Sequence, residues 1–285
     1  MAMNEIPKIM FGSADRSVTR IGLGGEGVLR THGRTDEARV VIRTALEMGI
    51  EYFDTAPAYS GSEEYLGSVW KEKPERRDSI FHTSKSAQRT YDGAMRDLRS
   101  TLSRLGTDYL DLWQIHDVRD QNDIAQIQSE NGALRAFLEA REAGTVRHIG
   151  VTGHHDPEVL TRCVNEWPLN SVLLPVNPVE GILGGFLTDT LPAAKKRGMA
   201  VVGMKVLGGG HYLFTENGLT PERYLRYALS QPVDVVILGC SSPAEVELLV
   251  HVAKDFQPMS ADEQKELLDL FRPHAERLAY YRGRK

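Results

Sequence analysis

Residues 110–151 read LDLWQIHDVRDQNDIAQIQSENGALRAFLEAREAGTVRHIGV, and this stretch decides the fold class. Leu110–Ile115 is a short apolar run of strand length. A polar segment follows, then the amphipathic run Leu134–Ala143, which Gly144 closes. His148–Val151 is a second apolar run. Strand, helix and strand in direct succession make a parallel βαβ unit.

Working outward, the unit recurs. Toward the N-terminus the predicted strands are Arg20–Gly25, Glu51–Asp54 and Ile80–Thr83. Between them lie predicted helices Asp36–Met48, Glu63–Lys71 and Ala94–Leu105. Toward the C-terminus the strands are Val172–Val176, Ala200–Met204 and Val235–Leu238. Their helices are Pro157–Asn165, Thr188–Lys196, Pro221–Ser230 and Pro243–Ala253, with one further helix at Ala261–Arg272. Gly49, Gly106 and Gly198 stand where helices should stop, since glycine carries no Cβ penalty at positive φ. Eight strand–helix pairs predict a closed (β/α)8 TIM barrel, one domain over residues 1–285 with an extra C-terminal helix. A doubly wound sheet is the alternative. Gly22, Gly24, Gly25 and Gly27 hint at its glycine fingerprint, but Val28–Arg34 does not open a helix, so the fingerprint lacks its context. The segment Asp117–Gly132 is predicted to be a polar surface loop beside the site.

The chain has 34 Lys and Arg against 39 Asp and Glu, a net charge of −5, and is 41% hydrophobic. This is a globular balance rather than a disordered one. It gives no global reason to expect nucleic acid or an anionic membrane as partner. Two cysteines, Cys163 and Cys240, build no disulfide framework and point to a reducing compartment, by default the cytoplasm. Met1–Ile9 lacks a signal-peptide apolar run, and no stretch approaches the roughly 18 apolar residues of a membrane span. The basic run Arg282–Lys285 is expected to fray.

Barrels of this type work at the C-terminal ends of their strands. There the second strand ends in Asp54, with Tyr59 five residues on in DTAPAY. The third runs into Ser84-Lys85, and the fourth into His116-Asp117. Singly, each residue reads more simply as a turn cap, a surface side chain or a structural histidine. Together, four such side chains at one rim on three consecutive strands point to proton transfer at a carbonyl oxygen. Tyr59 would be the acid/base. Lys85 would lower its pKa, Asp54 would anchor Lys85, and His116 would hydrogen-bond the same oxygen.

With these residues the chain resembles the aldo-keto reductases. DTAPAY, Ser84-Lys85 and Gln114-Ile115-His116-Asp117 match that family's motifs in order and spacing, and the resemblance runs from the IGLGG strand to the last barrel helix. It implies a nicotinamide cofactor, a small-molecule carbonyl substrate and no metal. Its cofactor contacts fall on Gly25, Asp54, Thr152, Gly153 and Asn177. After the seventh strand they continue with Met204, Lys205, Leu207, Gly208 and Gly210, where glycines let a phosphate approach the backbone. After the eighth they fall on Gly239, Cys240, Ser241, Ser242 and Glu245, at a helix N-terminus suited to an anion. The resemblance implies NADP(H). Gly239 and Glu245 replace the usual Lys and Arg that grip the 2′-phosphate, which leaves NAD(H) open. Met204 stands where an aromatic often lies under the nicotinamide, and Thr152-Gly153 replaces a Ser-Asn pair.

Two other classes were weighed against this one. A nicotinamide-binding sensor with little turnover would keep the same four residues. A metal-dependent barrel hydrolase would need His116, His154, His155 and His211 as ligands. Against it, the first strand has no His-x-His pair, and adjacent His154-His155 are not spaced as two ligands on one rigid element.

Overall fold

The computed structural model describes residues 5–212 and 219–283. Met1–Asn4 and, at the end of the predicted basic tail, Arg284-Lys285 lie outside them. The strands are β1 (Lys8–Met10), β2 (Ser17–Thr19), β3 (Ile21–Gly27), β4 (Tyr52–Asp54), β5 (Phe81–Ser86), β6 (Leu110–Ile115), β7 (Val146–Thr152), β8 (Ser171–Pro175), β9 (Ala200–Met204) and β10 (Val235–Cys240). Strands β3 to β10 run parallel and close on themselves, β10 pairing with β3. The barrel expected from the sequence is the fold of the protein.

The helices are α1 (Thr35–Glu47), α2 (Ser62–Glu72), α3 (Tyr91–Leu105), α4 (Gln121–Gln128), α5 (Ala133–Glu142), α6 (Pro157–Glu166), α7 (Pro178–Leu183), α8 (Leu191–Lys196), α9 (Pro221–Ser230), α10 (Pro243–Lys254), α11 (Ala261–Phe271) and α12 (Ala275–Leu278). Three departures from the sequence reading stand out. The presumed loop Asp117–Gly132 contains α4, capped by the Asp120 side chain on the Asp123 N–H. The predicted helix Thr188–Lys196 is split into a wide turn at Phe186–Thr190 and α8. An antiparallel hairpin, β1–β2, precedes the barrel.

The period-two alternation of strands puts successive side chains on opposite faces. On β5, Phe81 joins the barrel interior, and Thr83 and Lys85 bond Asp54 on the neighbouring strand β4. Ser84, on the other face, bonds Glu63 of α2. Phe11 and Val18 of the hairpin region pack with Tyr52, Phe81, Leu112, Val202 and Val235, so the N-terminal end of the barrel is filled with hydrocarbon. A second core lies between barrel and helices. Trp113 stacks on Phe137 at 3.6 Å, and Phe53 meets the edge of Trp70. Each such side chain contributes about 1.5–3 kcal/mol on burial. With the N-terminal end plugged, the polar side chains of the strands gather toward the C-terminal end.

Candidate active site

Asp54 is the last residue of β4, and Lys85 lies one turn of the pleat above Thr83 on β5. Lys85 Nζ donates to Asp54 Oδ2 at 2.6 Å and to the Thr55 carbonyl at 2.9 Å, and both side chains are buried. Thr83 Oγ1 donates to Asp54 Oδ1 at 2.8 Å. The carboxylate is thus held at both oxygens. Tyr59 follows in a turn in which Ser60 takes a left-handed φ of 47°. Its ring lies against the end of β3. A Cβ on Gly25 would meet Tyr59 Cδ2 at 2.7 Å and the Asp54 carbonyl at 2.9 Å, so this position must be glycine.

Lys85 Nζ sits 4.7 Å from the centre of the Tyr59 ring, and the Arg30 guanidinium lies over the same ring at 5.2 Å. The His116 ring meets Tyr59 edge-on, 5.6 Å between centres. All four predicted residues therefore converge. One predicted role changes. Burial, followed by the charge of Asp54, raises the Tyr59 pKa well above 10, and Lys85 does not reverse this. The phenol is held protonated, because burial and the neighbouring carboxylates outweigh the cations around the ring. Burial, helped by the nearby Lys85 cation, pushes His116 down to about 3, so its imidazole is neutral. The site places a neutral phenol and a neutral imidazole side by side.

Arg89 braces this arrangement. Its guanidinium donates to the carbonyls of His116 and Asp117 at 2.8 and 2.7 Å and pairs with Asp123 of α4. It holds Asp117, whose φ is 56°, in the left-handed conformation. No local sequence signal marks this role, because Arg89 acts on backbone 27 residues away.

The tail is the larger surprise. Arg282 is not frayed: it is buried in an ion pair with Glu180 of α7 and donates to the Gly184 carbonyl. Tyr281 OH donates to Glu180 Oε1 at 2.7 Å, and Tyr280 OH donates to the Gly208 carbonyl at 3.1 Å. The tail thus crosses the rim over the ends of β7, β8 and β9. Asn177, expected among the cofactor contacts, is already engaged. Its Nδ2 donates to the Lys205 carbonyl at 3.0 Å and to Tyr281 OH at 2.9 Å, while its Oδ1 caps α7.

The other predicted cofactor residues line the same rim. Thr152 Oγ1 accepts from the Asp117 N–H at 2.8 Å, and Gly153 follows at the end of β7. Met204 packs on the barrel interior. Beyond it Lys205, Gly208, Gly209 and Gly210 have φ values of 57, 55, 61 and 90°, with Leu207 between them. After β10, Ser242 caps α10, and Glu245 Oε2 accepts from the Ser241 N–H at 2.7 Å. Cys240 lies buried beneath, its thiol pushed up to about 12.

Residues 20–224 match the model of the aldo/keto reductase family. The chain belongs to that family. Among its curated relatives is L-galactose dehydrogenase of Arabidopsis thaliana, 26% identical, with 92% of each chain covered. An aldo-keto reductase of Mycolicibacterium smegmatis is 30% identical, covering 84% of this chain and 85% of its own. D-threo-aldose 1-dehydrogenase of a Pseudomonas species is 29% identical over 70% of this chain and 67% of its own. The solved holo form of a Bacillus halodurans aldo-keto reductase shares the fold, with a TM-score of 0.72 at 22% identity and 96% of each chain covered. This aldo/keto reductase is accordingly an oxidoreductase that uses a nicotinamide cofactor. Among its described residues no helix is long and apolar enough to cross a membrane.

Proposed function

We propose that the protein reduces an aldehyde or ketone, or oxidises the corresponding alcohol, with Tyr59 as the proton donor. The observation that carries this reading is the convergence of a protonated Tyr59 and a neutral His116 above the buried Lys85–Asp54 pair. The rim residues fit a dinucleotide. The glycines Gly208, Gly209 and Gly210, all at positive φ like Lys205, keep side chains out of the way there, so a phosphate could approach the backbone beside a cation. Among the described residues a Cβ on Gly210 would meet nothing within 4 Å.

When bound, the reduced nicotinamide supplies a hydride to the carbonyl carbon. Tyr59 gives its proton to the carbonyl oxygen, and His116 donates a hydrogen bond to the same oxygen. As the phenol loses its proton, Lys85 beside the ring stabilises the phenolate that remains. In the resting site burial and the charge of Asp54 outweigh the cations beside the ring, so Tyr59 holds its proton until an acceptor oxygen arrives. Asp54 keeps Lys85 charged and in place.

For the cofactor we favour NAD(H). Gly239 lies against β3, where a Cβ would meet Glu26 Cβ at 2.5 Å, so no longer side chain can stand there without a shift. Glu245 brings a carboxylate onto the Ser241 N–H, at the helix end where a 2′-phosphate would need a cation. Repulsion of the phosphate follows. The buried free thiols Cys163 and Cys240 suit a reducing compartment such as the cytoplasm. Titration with NADH and, separately, NADPH, followed by nicotinamide fluorescence, tests the assignment. Tighter NADH binding and carbonyl-dependent NADH oxidation support it, and tighter NADPH binding refutes the cofactor choice. Binding of neither refutes the placement of the rim site.

A further inference from the structure

Asp117, His154 and His155 meet at the rim beside His116. One ligand atom from each lies within 4.8 Å of the others. The Nε2 atoms of His154 and His155 face the same oxygen, Asp117 Oδ1, at 3.2 and 3.9 Å. That oxygen is buried and has no hydrogen-bond partner among the described residues, whereas Oδ2 pairs with Arg119 at 2.6 Å. The other ring nitrogen of His154, Nδ1, lies 3.1 Å from the Tyr281 carbonyl oxygen.

A carbonyl only accepts, so His154 Nδ1 carries the ring proton. In the neutral imidazole Nε2 then aims a lone pair at a carboxylate oxygen. Two lone pairs facing each other at 3.2 Å repel. A cation seated between them converts the repulsion into two bonds. We propose that Asp117, His154 and His155 form a binding site for a divalent transition metal of the zinc type at the mouth of the active site.

The donor set selects the ion. Two imidazoles and one carboxylate suit zinc or a neighbouring transition metal rather than calcium or magnesium, which prefer all-oxygen shells. With bonds of about 2.1 Å, a tetrahedral ion holds its ligand atoms about 3.4 Å apart. The His154–Asp117 pair already has that separation, and the wider ones close by small side-chain rotations. The Tyr281 carbonyl fixes the His154 tautomer, the usual support behind a metal-bound histidine. Adjacent histidines diverge on a rigid strand, which is why the sequence argued against them as ligands. Here they follow the end of β7, and their rings stack at 4.8 Å with 28° between planes. Three protein ligands leave a fourth position open toward the mouth. A bound ion would tie the β6 loop to β7 and, through Tyr281, to the tail, slowing exchange at the site.

The test is equilibrium dialysis of the full-length chain against micromolar zinc chloride, with the bound metal measured by atomic absorption. The expected result is one zinc per chain, with binding at least tenfold weaker in Asp117→Asn and in His155→Gln. Cobalt added to the wild type should give the intense visible bands of a tetrahedral site, and these should vanish in both variants. His155 is only partly buried, so His155→Gln carries the test if Asp117→Asn does not fold. Equal zinc binding by all three proteins would place the metal on other surface histidines and overturn the proposal. Failure of the wild type to bind zinc would do the same. The readout is occupancy, so it stands or falls apart from the carbonyl reduction.

Discussion

Two buried carboxylates, Asp111 at the N-terminal end of the barrel and Asp54 at the C-terminal end, are partnered in opposite ways. Asp111 accepts from Arg16, Arg77 and Arg147 at 2.7, 2.9 and 3.2 Å, and from the His82 backbone N–H at 2.9 Å. Its cations are several, partly exposed, and bonded to surrounding backbone as well. Asp54 has one cation, Lys85, which is completely buried and lies beneath a phenol ring. A carboxylate saturated by arginines ties loops together. A carboxylate with a single buried lysine holds a charge ready for a proton transfer next door. Three arginines on one carboxylate suit a structural tie, and one buried lysine on another suits the proposed proton transfer.

Four substitutions break or sharpen this contrast. At the chemical end, Tyr59→Phe should lower kcat by about 10²–10⁴-fold. Its thermal melt and cofactor binding should match wild type, and steady-state kinetics beside a fluorescence titration check both. Wild-type turnover in this variant would remove Tyr59 from the mechanism. At the structural end, Asp111→Ala leaves three guanidinium groups without their shared partner. It should cost about 3–5 kcal/mol in urea unfolding, while the surviving folded fraction keeps its kcat. Loss of kcat with unchanged stability would erase the distinction between the two ends.

His82 sharpens the contrast through pH. It is buried, and burial holds its pKa well below the ordinary 6.5. The folded state therefore refuses a proton that the unfolded state accepts below pH 6.5, so this contribution to stability is present above that pH and is lost as pH falls. The slope is at most about 1.4 kcal/mol per pH unit. His82→Leu should flatten the acid side of a stability–pH curve by one proton, and an unchanged curve would show that His82 is not the group responsible. The smallest effect is expected for Glu245→Arg, a shift of roughly tenfold toward NADPH in the ratio of dissociation constants.

The barrel was legible because each of its strands is an apolar run between amphipathic helices, a pattern carried by neighbouring residues. Asp54, Tyr59, Lys85 and His116 were legible because strand ends announce which side chains reach the rim. What escaped was short or distant. Strands β1 and β2 span three residues each, too few for a period to show. Helix α4 buries only Ile124 and Ile127 within a polar stretch. Arg282 looked like one of a run of exposed cations, because its partner Glu180 stands 102 residues away. The direction of the Tyr59 shift escaped for another reason. It depends on whether burial or the lysine prevails, a balance that needs distances rather than residue types.

The tail reaches the rim through side chains and single carbonyls, and among the described residues no strand ladder joins it to the barrel. Changing its sequence disturbs the register of no strand. The tail works instead as a clasp, fastened by the buried Arg282–Glu180 pair and the Tyr281 hydroxyl. A change at residues 280–282 would reshape the mouth from one side only, away from Asp54 on β4 and Lys85 on β5.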